Sequence, residues 1–309
     1  MRDLHELPKL RDGLSYLYVE HVKIDQTGLS IEFLDKEGRT MVPIAALGVL
    51  MLGPGTSITH AAVKALADNG CSAVWCGEDG IRFYAYGTGE TRKAYRLCRQ
   101  AELVSDPQKR MTIIRRMYEM RFEEPLAADL SIEQVRGLEG VRVREAYARA
   151  SREYGIEWHG RRYDRSCWEK SDPVNRALSA ANACLNGVCH SAIVAGGYSP
   201  ALGFIHTGKQ LSFVYDIADL YKVEITIPLA FRVVAEGGGP LEKRVRQACR
   251  QAFREHRLLK RLLPDIDCLL GLKEEPDEQP DILDADPACP TPLWTPPAGE
   301  DYPTGEQTW

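Results

Sequence analysis

The feature that most constrains this chain is a change of period at Gly87-Thr-Gly-Glu-Thr. Before it, apolar and polar residues alternate in short runs: Tyr16-Leu-Tyr-Val-Glu-His-Val, Leu29-Ser-Ile-Glu-Phe-Leu and Thr40-Met-Val-Pro-Ile, with turn chemistry at Lys36-Glu-Gly. That alternation predicts half-buried strands. Thr59 to Ala67 has helical spacing, and Ser72-Ala-Val-Trp-Cys and Ile81-Arg-Phe-Tyr-Ala return to strand. Beyond Arg92 the apolar residues recur near every 3.6: Tyr95, Leu97, Ala101 and Leu103, then Met111, Ile113, Ile114, Met117 and Met120. Further helices are predicted around 131–153, 173–193, 211–222 and 241–263. The expected fold is α+β, with a small N-terminal β-rich domain over 1–87 and a larger, mostly α-helical C-terminal domain over 88–272. A chain of 309 residues accommodates two such units.

From Glu274 onward eight prolines and a run of acids deny regular structure, which predicts a flexible, Pro-rich acidic tail over 273–309. Between Asp265 and Trp309 twelve acids face one base, Lys273, so residues 1–264 carry 38 bases against 32 acids although the whole chain is at -5. The acidic balance belongs to the end of the chain, and a polyanionic partner for the body stays open. With 44% hydrophobic and 27% charged residues, wholly disordered, collagen-like and coiled-coil chains are excluded. The run Met41 to Leu52 is interrupted by Pro43 and Gly48 and is too short to cross ~30 Å of hydrocarbon. The charged start Met1-Arg-Asp-Leu-His-Glu lacks a secretion signal, so no membrane partner and a cytoplasmic location are expected. Four residues separate Cys71 from Cys76 and Cys184 from Cys189, too many for Cys-x-x-Cys, and the nine cysteines read as reduced, mostly buried thiols.

Basic residues gather in two places. In the helix predicted from Glu242, Arg246, Arg250, Arg254, Arg257 and Arg261 fall on one face, while Val245, Cys249, Ala252, Phe253 and Leu259 form another. The second cluster is Arg92, Lys93, Arg96 and Arg99 with Lys109, Arg110, Arg115 and Arg116. Such ridges suit the phosphates of a nucleic acid. They are equally the ordinary solvated faces of amphipathic helices.

Two segments carry acid chemistry. Ser131-Ile-Glu-Gln opens a helix as a capping box, and two turns later Glu139 stands between Gly137 and Gly140, each costing up to ~1 kcal/mol relative to Ala. Bare backbone there admits either a bulky ligand or a neighbouring helix, with Arg136 and Arg142 supplying positive charge. Farther on, Gly203-Phe-Ile-His-Thr-Gly-Lys puts His206 on a turn ahead of a nearly all-apolar helix that carries Asp216 and Asp219. Those two carboxylates, three residues apart, are expected to share a direction and to need a compensating cation. Lys222 is one compensator; a divalent metal is the other, and oxygen donors with one imidazole suit Mg²⁺ or Mn²⁺.

Taken together, Arg136-Gly-Leu-Glu139-Gly-Val-Arg, Gly203-Phe-Ile-His206-Thr-Gly-Lys and Ser-Phe-Val-Tyr-Asp216-Ile-Ala-Asp219 resemble CRISPR-associated protein 1, the spacer-acquisition integrase, in its subtype I-E form. Leu52-Gly-Pro-Gly-Thr and Gly160-Arg-Arg-Tyr-Asp belong to the same resemblance, which runs from about Leu14 to Leu263. It implies an N-terminal dimerisation domain and a helical domain holding a divalent metal. Glu139, His206 and Asp219 match the family's metal ligands, and Asp216 matches a supporting acid. Lys209 falls where the subtype contacts the protospacer-adjacent motif, and Arg82, Arg246, Arg250 and neighbouring Arg254 fall in regions that hold DNA backbone. His21 stands near where some members carry a duplex-wedging Tyr, and Ser57 where an Arg can occur. The implied partners are double-stranded DNA, namely protospacer and CRISPR repeat, a second copy of the chain, and CRISPR-associated protein 2.

The implied reaction joins DNA 3′-hydroxyl ends to a repeat array without a covalent enzyme intermediate, so Cys and Ser are not expected as nucleophiles, and His206 coordinates or orients. A nuclease of branched DNA using the same site, and a non-catalytic nucleic-acid scaffold, are the competing expectations.

Overall fold

The computed structural model describes residues 16–78, 82–88, 94–122, 125–127, 130–161 and 172–272. The acidic tail, Arg92, Lys93, Ile81 and the Arg162-Tyr-Asp part of the Gly160 motif lie outside them. Strands β1 (Tyr16–Val19), β2 (Lys23–Thr27), β3 (Ser30–Leu34), β4 (Arg39–Pro43), β5 (Val49–Leu52), β6 (Ser57–Ile58), β7 (Ser72–Cys76) and β8 (Phe83–Gly87) form two four-stranded sheets, with helix α1 (His60–Asp68) between β6 and β7. The first sheet has the order β1-β5-β7-β8, parallel except for the antiparallel β8. The second has the order β4-β3-β2-β6, antiparallel except for β2 with β6. Ile24, Ile31, Phe33, Leu50, Leu52 and Leu66 are among the residues buried in the core they share with α1.

Two strand expectations change. The run Tyr16 to Val22 is not one strand: the chain turns at His21, whose φ is +55°, and β1 and β2 enter different sheets. The His21 amide donates to the Pro54 carbonyl at 2.9 Å, and Gly55 opposite leaves room that any Cβ would take from the His21 ring. Val49–Leu52, read as part of an interrupted apolar run, is β5, buried at all four positions between parallel neighbours. A strand covered on both faces reads as continuous apolar sequence, so alternation cannot reveal it.

The remainder is helical: α2 (Tyr95–Ser105), α3 (Pro107–Phe122), α4 (Ile132–Tyr154), α5 (Pro173–Ala195), α6 (Ser212–Tyr221), α7 (Ile227–Glu236), α8 (Leu241–Glu255) and α9 (Leu258–Leu269). The Ser131/Gln134 capping box starts α4 as expected. Helix α5, with Asp172 as N-cap and Pro173 in its first turn, is the centre of the bundle and packs on α6, α7, α8 and α9. It alone among the described helices is long and apolar enough to cross a membrane, yet 72% of that stretch is buried inside the protein. Helix α7 went unread; a π-helical turn at Lys222–Thr226 leads into it, and Pro228 sits where an N-terminal turn tolerates proline. The helix expected over 241–263 breaks at Arg257, whose φ is +49°. Arg257 and Arg261 therefore leave the predicted ridge, and Arg261 binds Glu224 at 3.0 Å.

The sheet of β1, β5, β7 and β8 meets the bundle at the end of α5. Val49, Met51, Val74 and Cys76 cluster with Ala195, and Phe83 stacks on His190 at 3.5 Å between centroids. Burial pushes His190 down to about 4, so it is neutral at pH 7.

Candidate metal and nucleic-acid site

The site is assembled from α3, α4, α6 and the loop before α6. Asp216 is 1% exposed and faces backward onto that loop, accepting from the amides of Phe204 at 2.6 Å, Ile205 at 3.1 Å and His206 at 2.9 Å. It also holds His206 Nδ1 at 2.7 Å. That contact fixes the imidazole and leaves Nε2 as its free edge. The Asp216 hydrogen bond raises the pKa of His206 against the opposing effect of burial. From the other side, Arg110 donates to the Phe204 carbonyl at 2.8 and 2.6 Å, and buried Gln100 ties down the carbonyls of Ser199 and Leu202. Gly203 is required here, because a Cβ would run into the His206 carbonyl and Ser212.

Asp219 turns elsewhere. It pairs with Lys222, the first residue of the π-helical turn after α6, and its second oxygen lies 3.9 Å from Nη1 of Arg121 at the end of α3. The same Nη1 donates to Glu139, whose other oxygen accepts from the Tyr118 hydroxyl at 2.9 Å. Burial, followed by the Glu139 charge, raises the Tyr118 pKa and keeps it a donor. The expectation that Asp216 and Asp219 point the same way is thus corrected: backbone amides and an imidazole neutralise the first, two cations the second.

Glu139 and Asp219 flank one cation position, which the Arg121 guanidinium fills. Among the described residues no three His, Cys, Asp or Glu side chains close around a single point. The donor chemistry still fits a divalent cation, since two partly buried carboxylates already share a positive group and the His206 edge is half-exposed. Gly137 and Gly140 resolve the other alternative: an added Cβ at Gly137 meets nothing, at Gly140 only the tip of Arg144, and Leu138 and Val141 beside them are exposed. No described residue packs on Gly137, which at about 100° per residue stands on the far side of α4 from Glu139, the residue that faces Tyr118 and Arg121 of α3.

A groove of about 690 Å³ runs from Arg121 along α4, lined by Arg142, Arg149, Arg152, Glu145 and the Glu224 of the π-helical turn. Lys209 is exposed on the His206 loop, Arg82 on the approach to β8, and Arg254 on α8; Arg246 is half-buried. Arg250 differs from that expectation of an outward ridge: its Nε is enclosed and its charge acts on Tyr18 of β1. The second basic cluster is mostly occupied internally. Arg96 bonds Asp267, Arg99 and Lys109 bond Glu102, and Arg115 and Arg116 bond backbone carbonyls. Sequence reasoning missed Arg121 and Tyr118. The available signal was the stripe Arg110, Ile114, Met117 and Arg121 at helical spacing, where two arginines share the face of a buried hydrophobic pair.

A β-rich unit docked on a helical bundle, with paired acids and a histidine beside a cationic groove, is the layout this fold presents. The family model for the CRISPR associated protein Cas1 matches residues 16–125 and 117–243. A CRISPR-associated endonuclease Cas1 2 of Thermus thermophilus is 57% identical over 296 residues, covering 95% of this chain and 90% of the relative. A CRISPR-associated endonuclease Cas1 of Geobacter sulfurreducens is 45% identical over 279 residues, covering 89% and 91%. The crystal structure of a TtCas1-DNA complex superposes with a TM-score of 0.79 at 58% identity, covering 85% of this chain and 99% of that one. The chain belongs to the Cas1 family of CRISPR-associated proteins.

Proposed function

We propose that this chain is the metal-dependent DNA integrase of a subtype I-E CRISPR adaptation system, joining the 3′-hydroxyl ends of a short protospacer duplex to the repeat array. The observation that carries the reading is the pairing of Glu139 and Asp219 around one cation position at the end of an arginine-lined groove. Mg²⁺ or Mn²⁺ held by Glu139, Asp219 and His206 would polarise the phosphodiester and offset charge on the leaving oxygen. In the joining step the 3′-oxygen bonds to phosphorus, the bond to the target strand's 3′-oxygen breaks, and that oxygen takes up a proton. The protein's part is positional. Asp216 holds His206 in one orientation, Gly137 and Gly140 let the backbone of the duplex approach, and Arg142, Arg149 and Arg152 offset phosphate charge.

The β-rich unit serves as the dimerisation domain of a homodimer, two of which flank a dimer of CRISPR-associated protein 2. Lys209, Arg82, Arg246 and Arg254 contact DNA, and the reaction takes place in the cytoplasm. The names of the relatives favour a second reading, hydrolysis at the same site, in which water replaces the 3′-hydroxyl. Strand transfer of a short duplex into a supercoiled plasmid carrying a repeat array tests both, with partner protein and Mn²⁺, comparing wild type with His206→Ala. Joined product lost in the variant supports the integrase. Cut but never joined strands support the nuclease, and DNA binding without either reaction supports the scaffold.

A further inference from the structure

We infer that Arg121 is a resident counter-cation of the Glu139/Asp219 pair, released when metal enters and taken over by the DNA phosphodiester, so that metal and DNA load as a coupled pair. This rests on the metal-dependent reading above. Three observations support it. One guanidinium nitrogen donates to Glu139 and lies 3.9 Å from Asp219, and the side chain is only 8% exposed. Its Nε is buried without a hydrogen-bond partner, so the present seat leaves one donor of the fork unused. The same residue lines the α4 groove, which gives the guanidinium a place to move and a phosphate a place to meet it.

The charge balance makes release necessary. Glu139 and Asp219 are matched by Arg121 and Lys222, so the two acids are already neutralised. A divalent cation arriving while Arg121 and Lys222 stay in place would add positive charge to a partly buried pair that they already neutralise, which is costly. A phosphodiester supplies a negative charge and a fork-shaped acceptor for the freed guanidinium. By linkage, whatever factor DNA contributes to metal affinity, metal contributes to DNA affinity.

The test is calorimetric titration of Mn²⁺ into the full-length protein, with and without a short blunt duplex, for wild type, Arg121→Gln, Arg121→Lys and Glu139→Gln. Wild type is expected to bind Mn²⁺ weakly alone and about 5- to 150-fold more tightly with duplex, the ordinary range of coupling between sites. Arg121→Gln is expected to bind Mn²⁺ more tightly than wild type without DNA and to lose most of the duplex effect, whereas Arg121→Lys keeps the weak metal-free-DNA behaviour. If duplex leaves the Mn²⁺ affinity of wild type unchanged while Glu139→Gln weakens it, the coupling is overturned and the metal site survives. If Glu139→Gln titrates like wild type, the metal reading fails and this inference with it. Where Arg121→Gln does not fold, an Mn²⁺ affinity of wild type that duplex leaves unchanged still overturns the inference.

Discussion

Asp216 and Asp219 stand three residues apart on α6 and do opposite work. Asp216 is sealed, satisfied by three backbone amides and His206, and shapes the loop that carries the imidazole. Among the described residues Asp219 is paired with side-chain cations, Lys222 and Arg121, which another cation can replace. The lesson is that a carboxylate neutralised by fixed amides is part of the architecture, while one neutralised by side chains is available for chemistry.

The largest expected effect breaks or confirms that division. Asp216→Ala should lower unfolding free energy by about 3–5 kcal/mol, the cost of removing one partner from a buried charged network, and Asp219→Asn by less, because Glu139 still neutralises Arg121. Urea denaturation reads both, and equal losses would erase the distinction. Next, Glu139→Gln and Asp219→Asn should leave DNA binding and the melting temperature near wild type while cutting the joining rate by about 10²–10³, in line with loss of one electrostatic stabiliser. Gel-based strand transfer alongside a binding assay checks this, and parallel loss of binding would return these acids to a structural role.

A smaller effect concerns pH. His206 is raised above its ordinary 6.5, first by the Asp216 hydrogen bond, so its stabilising contribution is complete below that value and is lost as pH rises through the folded pKa. The stability gap between wild type and His206→Gln should therefore be widest below about pH 6.5 and narrow as pH rises above it. A constant gap would mean that the pair does not titrate. Smallest is Gly137→Ala, expected to stabilise α4 by up to about 1 kcal/mol while slowing strand transfer, because the new methyl meets nothing in the protein but stands on an open face of α4 that a duplex can approach. Unchanged transfer would show that DNA does not approach there.

Much of this protein is settled by local sequence. The change of period at Gly87 separates strands from helices and the Ser131 box starts α4, because periodicity and capping act over a few residues, while the motifs around Glu139, His206 and Asp219 point to a candidate site through their resemblance to the family. Burial from both sides hid β5, and left-handed backbone at His21 and Arg257 split segments whose side-chain pattern runs on unbroken. Only tertiary structure set which way each charge faces. Arg110 and Arg121, alike in sequence to the solvated arginines around them, are drawn inward by a carbonyl of the His206 loop and by Glu139. Asp216 and Asp219, alike in spacing, are parted because one meets backbone amides and the other meets cations from two helices. A charge goes where its partner lies, and that partner comes from a distant part of the chain.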